Sequence, residues 1–458
     1  MAAVVFIACS SVLQCRFVSW DDPGFLYNNP YFRGLGWAQL RWMFTTFSHG
    51  PYQPAAWLSY DVDYLLWGMN PAGFHLSSLL WHCANAALLF LFCGRLFALA
   101  AARCDEQARC WAAAFAALIF ALHPLRDLMA GFFFLCALLC HLRGHEEPAR
   151  GRFWRGWTFA CYCLSLLSKA SGLGLPLVLA VLDAVLLKRP IRWRSLLPYV
   201  LPAAAAVVLA WHGQAASGAM SLAPGFSWPQ RLAQACYGHA FYLLKTLWPS
   251  RLAPMYQIAL DFDPLAPRFW ASAAVDLAVA GAAFSLSRRW PAFWAAWLCY
   301  LVLLAPVLGA VKFGTQLAAD RYGYLPCLAW SVLAAAALLE LARERPALRR
   351  PLALSGAVMV AILGALNLRQ LTYWQDSEAL YRRALEIDPG QSMAHNNLGV
   401  FLEGEGRLPE ALDQYRWAVE SLPQNSYARG NLARVLNRLE RLEPSPRLGE
   451  PNAPRKGR

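Results

Sequence analysis

Trp20-Asp21-Asp22-Pro23 places two adjacent carboxylates directly after the first apolar stretch of the chain. Charge beside hydrocarbon is costly to keep, so acids at a helix mouth point to function. A carboxylate pair there fits a general base that takes the proton of a hydroxyl, as sugar transfer from a lipid carrier requires. The competing reading is a helix cap or an interface anchor.

The elements that must position these acids are membrane helices. The chain has 458 residues and is 58% hydrophobic, which makes a bilayer the natural solvent for most of it. Its net charge of +13 could suggest nucleic acid, but the distribution excludes that class. The basic residues concentrate in short connections such as Arg150-Gly151-Arg152, Lys188-Arg189 and Arg349-Arg350, the positive-inside mark of topology. The 13 cysteines lie mostly within apolar runs, with no CxxC pair and no histidine at zinc spacing, so they read as small packing residues. Spans of about 20 apolar residues are sought. They fall near 2–18, 77–101, 111–123, 127–142, 157–168, 172–187, 196–212, 269–287, 291–311, 325–342 and 351–368. Residues 2–18 read as a retained helix rather than a signal peptide, since no basic leader or cleavage site is evident. The stretch 230–249 carries Arg231, His239 and Lys245 and reads as interfacial, which returns every basic cluster to one side. The expectation is an all-α polytopic domain over 1–370 with about 11 spans and a long external loop at 19–75. Stripes such as Trp37, Leu40, Phe44 and Phe47, or Trp57, Tyr60 and Tyr64, suit interfacial helices in that loop.

Beyond residue 370 the chain repeats with a period of 34: Tyr381 with Tyr415, Ala384 with Ala418, Pro389 with Pro423 and Asn397 with Asn431. That is the tetratricopeptide (TPR) period, expected over 371–442, with a disordered Pro-rich and charged tail at 443–458. So short an array needs a membrane domain or a partner to lean on.

Several motifs follow the acid pair in order. They are Asn28-Asn29-Pro30, Pro54-Ala55-Ala56-Trp57, Phe74-His75-Leu76-Ser77, His123-Pro124-Leu125, Ser168-Lys169, Lys245-Thr246-Leu247-Trp248 and Asp320-Arg321-Tyr322-Gly323-Tyr324. Ending in tetratricopeptide repeats, this set resembles the transmembrane, tetratricopeptide-repeat-containing O-mannosyltransferase family and its bacterial relatives, over roughly residues 15–440. The resemblance implies a GT-C glycosyltransferase fold. It also implies transfer of a hexose, typically mannose, from a polyprenyl-phosphate carrier to Ser/Thr hydroxyls of exported proteins. Asp21 and Asp22 fall on the family's acidic pair, with Asp22 favoured as base and Asp21 orienting it. The leaving phosphate then needs external cations, for which Arg321, Lys169 and Arg126 are candidates. Equally, Arg321 can pair with Asp320, and Lys169 can snorkel to headgroups. His75 and His82 share one face of the second span and could touch acceptor or lipid phosphate, or be buried imidazoles with satisfied hydrogen bonds. Asp61-Val62-Asp63 and Asp261-Phe262-Asp263 have the DxD form, but nothing around them suits a nucleotide-sugar fold. No metal and no cofactor are expected beyond the polyprenyl-phosphate sugar, and the acceptor polypeptide is the expected TPR partner. The sequence departs from the family where Leu125 runs straight into Arg126-Asp127-Leu128, omitting a polar external segment that bears on donor binding. Two other readings remain: a non-catalytic scaffold for envelope assembly, and a transferase acting on a glycolipid or polysaccharide. High Ala, Arg and Leu content fits a bacterial inner membrane with loop 19–75 and the repeats in the periplasm, or the endoplasmic reticulum in a eukaryote.

Overall fold

Helix α1 (Ala2–Cys9) passes into a 3-10 turn at Ser10–Gln14, and the chain then runs extended through Cys15 to Val18. In the computed structural model the described residues are 1–48, 50–123, 128–191, 193–216, 226–257, 262–308 and 316–442. The span expected over 2–18 is thus shorter than its apolar run. Its Val5, Cys9 and Val12 pack on Leu79 and Cys83, and Arg16 N donates to Gln375 O at 2.9 Å.

The loop that follows contains α2 (Trp37–Thr45) and α3 (Pro54–Trp67). Trp57 is completely buried, stacked on Phe25 at 5.4 Å and set against Phe32, so this aromatic turns into the loop's own core. Trp37, Leu65 and Leu66 point outward. The two acids of the first DxD pattern are buried as well. Asp61 Oδ1 accepts from Gly34 N at 2.5 Å, and Asp63 is hydrogen-bonded by Ser77. They fasten the loop, which supports reading the pattern as coincidental. In the second pattern Asp263 Oδ1 accepts from Leu265 N in a turn, and Asp261 lies outside the described residues.

The membrane unit continues through α4 (Pro71–Ala100), α5 (Glu106–Leu122), α6 (Leu128–Glu146), α7 (Gly151–Ser168), α8 (Leu175–Val181), α9 (Trp193–Ala216), α10 (Trp228–Leu247), α11 (Pro267–Ser285), α12 (Pro291–Leu304), α13 (Tyr324–Glu344) and α14 (Arg349–Thr372). Starts follow the local chemistry. Asn70 caps α4 ahead of Pro71, Asp105 caps α5 through Ala108 N at 2.7 Å, and Ser227 with Gln230 forms a capping box on α10. The core is built from small residues facing large ones: Ala112, Ala113 and Ala116 of α5 lie with Phe92, Phe134, Tyr162 and Tyr324. Small side chains let helix backbones approach closely, which is how apolar helices associate without a hydrophobic drive. One two-stranded antiparallel pair, β1 (Tyr256–Gln257) and β2 (Gln316–Ala318), is present among the described residues.

The chain is an all-α membrane protein. Among the described residues, five helical stretches are long and apolar enough to cross a bilayer: Pro71–Ala100, Leu128–Glu146, Trp193–Ala216, Asp320–Glu344 and Pro346–Thr372. Ala2–Gln14, Ala170–Leu186 and Pro291–Val307 are shorter apolar helices. Eleven spans are therefore not confirmed. α5 has 17 residues and begins with Glu106 and Arg109, and α7 begins with Arg152 and Arg155. The span expected over 172–187 is a composite, a 3-10 turn at Ala170–Gly174, then α8, then a π-helical turn at Leu182–Leu186.

The second unit begins at Ser377. α15 (Ser377–Ile387), α16 (Ser392–Gly404), α17 (Leu408–Ser421) and α18 (Ser426–Leu442) form successive helical hairpins. Two of the pairs that repeat every 34 positions are fully buried: Tyr381 and Tyr415, and Ala384 and Ala418, are 0% exposed. A Cβ on Gly399 would sit 2.7 Å from Tyr415 Cε1, so only glycine lets α16 and α17 close on that ring. Gly399→Ala is expected to overpack this contact and destabilise the unit by about 1–3 kcal/mol. Limited proteolysis of the intact protein would show it as faster cleavage within 377–442. The tail 443–458, expected to be disordered, lies outside the described residues.

Candidate active site

Asp22 follows a turn at 19–21 and opens a π-helical turn at Pro23–Tyr27. Its Oδ2 accepts from Val18 N at 2.7 Å, four residues upstream, and makes no cap hydrogen bond to the turn it precedes. The helix-cap role belongs instead to the Asp21 main chain, whose carbonyl accepts from Gly24 N and Phe25 N at 3.1 Å each. Both carboxylates are thereby released from capping, Asp21 exposed and Asp22 half-buried. Burial pushes the Asp22 carboxyl up from 3.8 to about 6, the charge of Asp21 adds to this, and the Val18 N–H opposes it. A carboxylate so raised is a better proton acceptor than a solvated one, yet is still ionised at neutral pH.

Arg321 comes within the electrostatic reach of Asp21 from far along the chain. It sits in a 3-10 turn at Asp320–Gly323, just before α13, and its side chain feels the charge of Asp21. Its guanidinium donates to Pro254 O at 3.2 Å and lies 5.1 Å from the centre of the Tyr322 ring. Among the described residues no ion pair joins it to Asp320. That carboxylate takes the Tyr256 hydroxyl at 3.1 Å and has Lys245 as its leading counter-charge. Lys169, at the C-terminal end of α7, places Nζ 6.0 Å from the same Tyr322 ring. Two cations thus flank one tyrosine, with Asp21 in the field of one of them, although residues 21, 169 and 321 are remote in sequence.

Lys169, Tyr322, Gln316, Gln234 and Gln214 also line a cavity of about 430 Å³ whose other walls are largely apolar, among them Leu166, Leu173, Leu209 and Val307. A cationic and several amide side chains set among apolar walls suit a lipid with an anionic head.

The histidines divide. His75 packs its ring 6.2 Å from Phe17, next to the acid-bearing segment. His82 is buried deeper, with Nε2 2.8 Å from Ala121 O and Nδ1 3.4 Å from the Tyr324 hydroxyl. His82 therefore fits the account of an imidazole satisfied within the core. Tyr324 also receives Asn85 Nδ2 at 2.9 Å, so this network fixes the start of α13 against α4. Arg126 and the connection 124–127 lie outside the described residues. In the sequence, Tyr322 stands out only as part of the Asp320-Arg321-Tyr322-Gly323-Tyr324 motif. Its central place follows from Lys169 and Arg321 meeting on it, which no local pattern announces.

Residues 380–413 match the tetratricopeptide repeat family. Along nearly its whole length the chain is similar to protein O-mannosyl-transferase TMTC1 of Homo sapiens, 24% identical over 92% of this chain and 54% of that protein. Tmtc3 of Drosophila melanogaster is 22% identical over 86% of this chain and 51% of its own length. A shorter stretch is 31% identical to tmtc2 of Xenopus laevis, covering 30% of this chain and 17% of that protein. The chain spans about half the length of the curated relatives it matches most extensively. No solved structure matches it.

Proposed function

Because the chain belongs to the transmembrane, tetratricopeptide-repeat-containing O-mannosyltransferase family, we propose that it is a glycosyltransferase of the same kind. It moves a hexose, mannose by preference, from a polyprenyl-phosphate carrier to Ser/Thr hydroxyls of exported polypeptides. Asp22 takes the hydroxyl proton. The alcohol oxygen forms the new bond at the anomeric carbon as the bond to the carrier phosphate breaks, inverting configuration. Asp21 sets the local field and meets Arg321. Arg321 and Lys169 receive the charge that gathers on the departing phosphate, where fixed cations stabilise a transition state most. Arg126 is assigned to the same phosphate and His75 to the acceptor side. The apolar cleft takes the first isoprene units, and the repeats recruit the acceptor chain. The acid loop and the repeats belong on the non-cytoplasmic face, in the periplasm of a bacterium.

The convergence of Arg321 and Lys169 on Tyr322, with Asp21 in the field of Arg321, carries this reading. The test is transfer of radiolabelled mannose from polyprenyl phosphate to a Ser/Thr-rich peptide by the purified protein, followed against pH. A base must be deprotonated, and Asp22 is raised to about 6. The rate is therefore expected to hold above pH 6 and to fall about tenfold per pH unit below it. A flat profile through that range would exclude Asp22 as base.

A further inference from the structure

We infer that His141, His145 and Asp183 form a binding site for a divalent transition-metal ion of the zinc type, separate from the acid pair. No metal is expected from the motifs, and only half of this site has a sequence signature. His141 and His145 stand one turn apart on α6, which puts both rings on one face. Asp183 is supplied by the π-helical turn at Leu182–Leu186, a kind of local distortion that concentrates at functional sites.

The geometry is close to that of coordination. Asp183 Oδ1 lies 2.8 Å from Nε2 of each histidine, and the two Nε2 atoms are 3.2 Å apart. A tetrahedral ion at about 2.0–2.1 Å from its ligands holds them roughly 3.3 Å from one another. The imidazoles already have that spacing, and the carboxylate needs to withdraw by about half an ångström. The three side chains are 17%, 18% and 21% exposed, so an ion has a way in. Two imidazoles and one carboxylate leave a coordination position for water, and this donor set suits zinc and its first-row neighbours.

Arg189 is the built-in competitor. Its Nη1 contacts His145 Nδ1. A guanidinium only donates, so Nδ1 holds the lone pair and Nε2 the proton. An ion at Nε2 requires that proton to pass through solvent to Nδ1, where it faces Arg189 and expels it. Lys188, at φ 52°, turns the chain so that Arg189 N donates to Asp183 O at 2.8 Å, which keeps the competitor beside the site. The other nearby charges, Arg143 with Glu147 and Arg95 with Glu146, are mutually paired. His145 is 17 residues beyond Leu128, a rise of about 25 Å along α6. Leu128 O accepts from Asn85, the partner of Tyr324, so the metal site is at the far end of α6 from the proposed transfer chemistry. The ion fastens α6 to the turn after α8.

The experiment uses the full chain in detergent, without a histidine tag, stripped by a chelator and with accessible thiols alkylated, since Cys110 is exposed. Zinc is titrated against a chromophoric chelator. One tight ion per chain is expected, weakened about 100-fold in His141→Ala and tightened in Arg189→Ala, which keeps all three ligands. Cobalt should give visible d–d absorption in the wild type and lose it in His141→Ala. Equal titrations of wild type and His141→Ala, or no ion retained by wild type or Arg189→Ala at micromolar zinc, would overturn the site.

Discussion

Asp22→Asn is expected to lower the rate of mannose transfer by about 10²–10⁴-fold, the range a positioned general base contributes. The amide preserves shape and can still accept from Val18 N, the hydrogen bond that holds the carboxylate at 2.7 Å, so the loop should keep its fold. What is lost is the lone pair that takes the proton. Any residual transfer should also lose the acid limb near pH 6, because the group responsible no longer titrates there. Asp21→Asn is expected to cost less. Its side chain is exposed and acts on Arg321 through its charge, so the change should be read mainly in donor affinity. Initial rates at saturating donor, across pH, separate the two variants. Wild-type rates in Asp22→Asn would rule out Asp22 as the general base.

Arg321→Ala is expected to lower kcat/KM for the donor by about 10–100-fold, equivalent to a charge-assisted hydrogen bond of roughly 1.5–3 kcal/mol. This guanidinium also ties Pro254 to the turn before α13, so alanine removes both a phosphate ligand and a structural bond. Arg321→Lys retains the charge without the fork and should recover part of the affinity. Lys169→Ala should act in the same direction and more weakly, as a point charge on a flexible stem. Donor KM measured at saturating acceptor, with kcat recorded beside it, checks both. A rise in acceptor KM alone would move Arg321 to the polypeptide side.

How much of this was legible in the sequence varies with the range of the interaction. The acid pair, the lysine at the end of α7 and the Asp320-Arg321-Tyr322 motif could each be singled out, since each is a polar break in an apolar run. The meeting of the lysine and the arginine at Tyr322 could not, because it depends on the packing of segments about 150 residues apart, and no periodicity encodes that. Repeat spacing was fully legible in α15 to α18: Tyr381, Ala384, Tyr415 and Ala418 repeat because the same ring and methyl contacts recur in every hairpin. Span counting was least secure. Apolar composition does not distinguish a helix that crosses a bilayer from one packed among other helices, and the run over 172–187 hides a 3-10 turn and a π turn that hydropathy cannot see. The aromatic stripe of α3 shows the same ambiguity, since Trp57 has the spacing of a headgroup anchor and the burial of a core residue.

The main-chain bond from Arg16 to Gln375 bears on how any truncation should be cut. Residue 16 is six positions before the proposed base, so the last few residues ahead of Ser377 serve as a peg for the acid-bearing loop. A deletion made at 371, where the composition changes, would pull out that peg along with the repeats. Lost activity would then be blamed on a missing acceptor dock. Cutting after Asp376 keeps the peg and lets the two causes be told apart.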